Sequence, residues 1–181
     1  MIETASVRAF LDERHVTLAA RVGEFADRLI APLAEPRDDK AAREQARDFV
    51  AKLGAAGWFE PIRNQDWRAC CVVREALAAA SPLADAVFAL QALGVVPMLL
   101  APNDAMRKRW LDAAIQGRAM ASFAMTEPNA GSDAATRGSA GAPCAVRVCR
   151  TGRRSTRALC RASLDPWWRK RYRSAQSRHS R

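Results

Sequence analysis

Residues 82–101 read PLADAVFALQALGVVPMLLA, the longest apolar stretch in the chain and about as long as a membrane span. Its reading decides between a membrane protein and a packed helical domain. Asp85, Gln91, Gly94 and Pro97 fall inside it. A charge near mid-bilayer costs several kcal/mol, so the stretch reads as a buried helix. With so few polar positions it belongs at the centre of a bundle, with Pro97 kinking or ending it.

Amphipathic helices lie on either side. Upstream, Leu11, Leu18, Val22, Phe25 and Leu29 recur at helical spacing, with Asp12 placed as an N-cap and Pro32 just beyond the end. A charged link, Glu35–Lys40, leads to a second helix with Phe49, Val50 and Leu53 on one face. Gly54 and Gly57 mark its end, and Trp58-Phe59 follow in an apolar turn. A third helix covers roughly Gln65 to Ala80, stopped by Ser81-Pro82. The adjacent Cys70 and Cys71 on it read as core thiols. Downstream, Asn103-Asp104 cap a fifth helix that carries Met106, Trp110, Leu111 and Ile115 inward until Gly117.

The pattern then changes. Ala119–Met125 (AMASFAM) is short and apolar and reads as a strand. It runs into Thr126-Glu127-Pro128-Asn129-Ala130-Gly131-Ser132-Asp133, a loop dense in turn formers. A polar loop at the end of a strand that leaves a helical scaffold is a natural ligand edge. Thr126 supplies a hydroxyl and a backbone amide, Gly131 lets a bulky group approach the backbone, and Ser132 and Asp133 can bond a ligand or cap the loop.

The 181 residues carry a formal charge of +10, but the excess is local. Residues 1–135 hold 16 Lys and Arg against 18 Asp and Glu, whereas 136–181 hold 13 against one. Apolar residues fall from 73 of 135 to 16 of 46 across the same boundary, and Val146, Val148, Leu159 and Leu164 are the only Leu, Ile, Val or Phe beyond it. That composition predicts a disordered basic tail. It also reads like an out-of-frame translation of a GC-rich gene.

Collagen, coiled coil and disulfide scaffold are excluded by composition. No CxxC pair exists, and His15 and His179 lie near opposite ends, so no metal site is expected. The first residues, interrupted by Glu3, Arg8, Asp12 and Glu13, do not have a secretory layout, and a cytoplasmic, membrane-free protein is expected.

The segment Phe123–Asp133, FAMTEPNAGSD, resembles the TEPxAGSD signature of the acyl-CoA dehydrogenases, flavoproteins that oxidise acyl thioesters between the α and β carbons. Ala105–Leu111 with Gly117-Arg118 resembles the family's helix before the signature, and Asp12–Pro32 and Phe49–Trp58 look like its first two helices. The likeness covers about Asp12 to Ala135.

The resemblance implies a domain order: residues 1–118 as the N-terminal helical domain, 119–135 as the start of the middle β-domain, and 136–181 as the Arg-rich tail. The fold expected is mainly α, a five-helix bundle followed by the first strand of a truncated β-domain. FAD is the implied cofactor and acyl-CoA the implied substrate, in fatty acid metabolism. Phe123, Ala124, Met125 and Thr126 are implied to line the flavin, and Ser132 to touch both flavin and acyl-CoA. No catalytic residue is assigned, because the family's base lies in a C-terminal helical domain and Glu127 sits in the signature loop.

The same comparison implies that full-length relatives are oligomers. It also implies that this chain alone is not competent, that its apolar bundle face is uncovered, and that its one strand lacks sheet partners. The alternative is a non-catalytic helical remnant whose basic tail binds nucleic acid non-specifically. Trp167, Trp168 and Tyr172 beside Arg169-Lys170-Arg171 would then stack bases, with no sequence specificity expected.

Overall fold

Capping residues set the helix boundaries. The computed structural model describes residues 5–100, 104–124, 145–150 and 158–161. A short 3-10 turn, Ala5–Phe10, precedes α1 (Glu13–Leu29), α2 (Asp39–Ala55), the single turn α3 (Glu60–Arg63), α4 (Trp67–Ala80), α5 (Pro82–Leu100) and α6 (Asp104–Ile115). Asp12 caps α1, and its own amide donates to His15 Nδ1 at 3.1 Å. Asp38 accepts from the Ala41 amide at 2.8 Å to start α2, and Asp66 from the Ala69 amide at 3.1 Å to start α4. Ser81 is extended, as a residue before proline prefers, and Pro82 opens α5. The five long helices are those the sequence predicts; the single turn α3 and the 3-10 turn are additions.

The apolar α5 is the hub. It packs against α2, α3, α4, α6 and the first strand, burying Ala84, Val87, Phe88, Gln91, Gly94, Val95 and Met98. The helix is long and apolar enough to cross a membrane, yet one face is built into this core. Around it Phe59 stacks on Phe88 with centroids 5.7 Å apart, and Phe25 meets Trp58 edge-on at 5.4 Å. Pro97 does not end the helix, which continues to Leu100. The carbonyl that proline deprives of a donor belongs to Leu93, on the open side of α5. That side carries Leu90 and Leu93, each 54% exposed, with Leu100 beyond them.

Two core assignments need correction. Cys70 is buried, but Cys71 is exposed, because neighbours on a helix point about 100° apart and only one can face α5. In α1, Val22 and Phe25 are buried while Leu29 is exposed; Ala26 and Ile30 take the inner positions at that end.

After α6 the chain turns at Gly117, whose φ of +69° is left-handed, and enters β1 (Ala119–Ala124). Strands β2 (Ala145–Arg150) and β3 (Ala158–Arg161) complete an antiparallel sheet of order β1-β2-β3. Ala121 lies opposite Val148, Phe123 opposite Val146, and Val146 opposite Cys160. The strand expected to lack sheet partners therefore has one, drawn from the Arg-rich region. Over 145–150 only Val146-Arg147-Val148 alternates with the period of two that a strand requires, too short a pattern to outweigh the composition of the region. The rest of 136–181 lies outside the described residues.

Candidate functional site

In sequence the signature follows β1 directly, so the seat of β1 in the bundle is the described part of this region. Ala119 and Ala121 are buried against α5, with Met120 half-buried and Ser122 exposed between and beyond them. The close approach depends on Gly94. A Cβ there would lie 2.6 Å from the Ala121 carbonyl carbon, the Ala121 Cβ and the Ser122 amide nitrogen. At the entry to the strand Gly54 of α2 packs on the backbone of Gln116 and Gly117, and Gly117 in turn on the Val50 carbonyl; neither glycine has room for a side chain.

Gln91, one helical turn before Gly94, is buried and reaches the same strand. Its Nε2 donates to the carbonyls of Ala114 at 2.9 Å and Ala119 at 2.8 Å, and its Oε1 accepts from the Ala121 amide at 2.9 Å. The sequence reading used Gln91 and Gly94 only as breaks in an apolar run. The available signal was that an amide and a glycine three residues apart share one helix face.

Of the residues assigned to flavin and substrate, Phe123 and Ala124 are the last two positions of β1, opposite Val146 and Ala145. Met125, Thr126 and Ser132 lie outside the described residues, as do Glu127, Gly131 and Asp133. The structure thus brings Phe123 and Ala124 together on one strand directly preceding the signature.

The least exposed carboxylates are both engaged. Asp66 accepts from the Ala69 amide, faces His15 Nε2 at 3.1 Å and meets an Arg14 guanidinium nitrogen at 3.1 Å. Burial alone would raise its carboxyl, but the Ala69 hydrogen bond, the His15 ring and Arg14 outweigh that and hold it below its ordinary value. Asp85 is paired in bidentate fashion with Arg74, at 2.7 and 2.8 Å, which bolts α4 to α5 across the Ser81-Pro82 corner and raises the Arg74 guanidinium. Neither carboxylate is placed as a free general base. Burial pushes the Cys70 thiol up to about 12, so it is no nucleophile. Among the described residues no cluster of three or more His, Cys, Asp or Glu side chains is arranged to hold a metal ion.

Comparison with known proteins fits this geometry. Residues 12–118 match the family described as "Acyl-CoA dehydrogenase, N-terminal domain", a span that ends one residue before β1. A probable acyl-CoA dehydrogenase of Mycobacterium leprae is 32% identical over 134 residues, covering 70% of this chain and 34% of the relative. One from Mycobacterium tuberculosis is 30% identical over 134 residues, with coverage of 70% and 34%. A 3-(aryl)acrylate reductase of Clostridium sporogenes is 29% identical over 133 residues, with coverage of 69% and 35%. The chain spans about a third of the length of these curated relatives. A helical bundle organised around α5, with one strand that precedes TEPNAGSD in the sequence, together with these matches, makes the chain a member of the acyl-CoA dehydrogenase family that carries its N-terminal domain.

Proposed function

We propose that this chain provides the helical domain and first flavin-facing strand of an FAD-dependent acyl-CoA dehydrogenase acting on an acyl-CoA thioester in fatty acid metabolism. The observation that carries this reading is the continuity of β1 with TEPNAGSD: the strand packs on α5 and α6 and ends at Ala124, two residues before Thr126. The donor set suits a flavin. The Thr126 and Ser132 hydroxyls can bond a ring edge, and Gly131 lacks the Cβ that would keep a ring or pyrophosphate off the backbone.

A bound FAD would supply a hydride acceptor for the substrate β-carbon. The chain's own residues would bind and orient: by the family resemblance, Phe123, Ala124, Met125 and Thr126 would line the ring, and Ser132 would contact both ring and acyl-CoA. The strand's backbone, pinned at Ala119 and Ala121, keeps that edge in place. Removal of the α-proton needs a carboxylate on the opposite substrate face. Asp66 and Asp85 are engaged elsewhere and Glu127 belongs to the signature, so none of the three is proposed as that base, and the reading put to the test below is that this chain alone does not turn over substrate.

A cofactor seat limited to one strand and the signature segment would bind weakly, since few contacts would offset the association entropy. The test is an equilibrium titration of FAD into the purified chain, followed by gel filtration. Measurable binding that Thr126→Val weakens about tenfold is expected, through loss of one ligand hydrogen bond, with the flavin lost on the column. No binding at all sinks the flavin reading. Flavin retained one-to-one, or dye reduction with an acyl-CoA, sinks the reading that this chain is incompetent alone. The local excess of basic residues in 136–181 favours a second reading, non-specific nucleic-acid binding, whose affinity would fall steeply with salt.

A further inference from the structure

We infer that Gln91 is a positioning residue whose side-chain amide stands in for a neighbouring strand on β1 and fixes the register in which the chain enters the signature loop. In an extended chain the carbonyl of one residue and the amide of the residue two further on point to the same edge. Those are the groups Gln91 engages, the Ala119 carbonyl at 2.8 Å and the Ala121 amide at 2.9 Å. Its remaining Nε2 proton goes to the Ala114 carbonyl at 2.9 Å, in the last turn of α6. One planar group thus ties the end of α6 to the start of β1 across the Gly117 turn.

The chemistry selects glutamine. The three bonds need two donors and an acceptor at the end of a side chain of this length. A glutamate would aim an oxygen at two carbonyls, a methionine would leave three buried backbone groups without partners, and an asparagine is one methylene short.

A second observation reads the same register. Gly94 admits the backbone and Cβ of Ala121 at a distance that leaves no room for a Cβ on residue 94 itself, so this point of the strand sits directly against the helix backbone. A slip of one residue would bring Met120 or Ser122 to that point and take the Ala121 amide away from Gln91 Oε1. It would also turn every later residue of the strand, and the approach to Thr126, to the opposite face. The link to the flavin rests on the reading proposed above; the register lock itself does not.

The experiment is native-state amide exchange on the full chain, with protection factors resolved by residue or short peptide. In Gln91→Met, protection of the β1 amides, Ala121 foremost, is expected to fall at least about tenfold more than that of the α1 and α4 core, since the loss is local. In Gln91→Glu, β1 protection is lost at neutral pH and returns on acidification, because the protonated acid can again accept from Ala121 and donate to Ala119. The parent chain has no such recovery.

Unchanged β1 protection, or a loss spread evenly over the helices, overturns the inference. Should Gln91→Met not fold, the parent's Gln91 side-chain protons decide. Slow exchange of both protons with solvent supports the lock, and exchange as fast as that of an exposed glutamine overturns it. Parent chain that binds no FAD would sink the proposed function while leaving the exchange result to judge Gln91.

Discussion

His15, buried in α1, holds its Nε2 3.1 Å from Asp66 Oδ1 at the N-terminus of α4. The Asp12 amide donates into Nδ1, so the proton of the neutral ring sits on Nε2 and points at the carboxylate. His15 and Asp66 are 51 residues apart in sequence, so two distant helix starts are joined through one ring, with Arg14 and Arg68 completing the cluster around Asp12 and Asp66.

Asp66→Ala removes the α4 cap, the His15 partner and the Arg14 pair together. A loss of about 2–3 kcal/mol is expected in urea unfolding at pH 7, above the ~1 kcal/mol of an ordinary cap, because a buried ring nitrogen is left without its acceptor. The carboxyl is held below its ordinary value in the folded chain, so its contribution is complete above the unfolded pKa of about 3.9 and fades as pH falls through the lower folded value. The parent should thus lose stability below about pH 4 more steeply than the variant. Parallel stability curves across that range would show that the carboxylate is not differentially bound.

Gly94→Ala pits helix propensity against sterics. Alanine in a helix interior is favoured by about 1 kcal/mol, but its Cβ would sit 2.6 Å from the Ala121 backbone, and backbone cannot swing aside as a side-chain end can. A net destabilisation of about 1–3 kcal/mol is expected, read as a lower urea midpoint. A midpoint at or above the parent's would mean that β1 does not press on α5 as described.

Much of this was legible before the fold was seen. Asp12, Asp38 and Asp66 cap because each is a short acceptor placed before an apolar-periodic run, although only Asp12 was read as a cap from sequence. The apolar run at 82–100 became the hub because one face of it had to be shared by several amphipathic neighbours. Three things were not legible. His15 looked isolated because its partner lies 51 residues away, and hydrogen bonds of that separation leave no local pattern. Gln91 and Gly94 were visible as interruptions, but their meaning depends on a strand arriving from beyond α6. Strand β2 was not legible because its alternation extends over only Val146-Arg147-Val148 in a region whose composition is basic and poor in apolar residues.

Cys70 and Cys71 should separate cleanly in their chemistry. The Cys71 thiol is exposed, whereas burial holds Cys70 protonated with its pKa pushed up to about 12. Brief treatment of the native chain with iodoacetamide at pH 8, followed by peptide mapping, is expected to label Cys71 at least about tenfold faster than Cys70, with the difference vanishing in denaturant. Equal native rates would place both thiols on the surface.

The open side of α5 offers the last test. Leu90 and Leu93 are each 54% exposed and stand one turn apart, so among the described residues they form part of an uncovered apolar ridge on the helix whose other face is the core. Replacing both with glutamine removes little buried area, and glutamine is as good a helix former as leucine within a few tenths of a kcal/mol. The double variant Leu90→Gln, Leu93→Gln is expected to unfold within about 0.5 kcal/mol of the parent per substitution, while its light scattering at raised concentration falls. Val87→Gln and Phe88→Gln, on the core-facing side of the helix, should each cost several times more, about 3 kcal/mol or above, because a buried side chain is replaced by an unpartnered amide. If the ridge pair proved as damaging as the core pair, α5 would be enclosed on both sides, and its place as a helix with one buried and one open face would have to be given up.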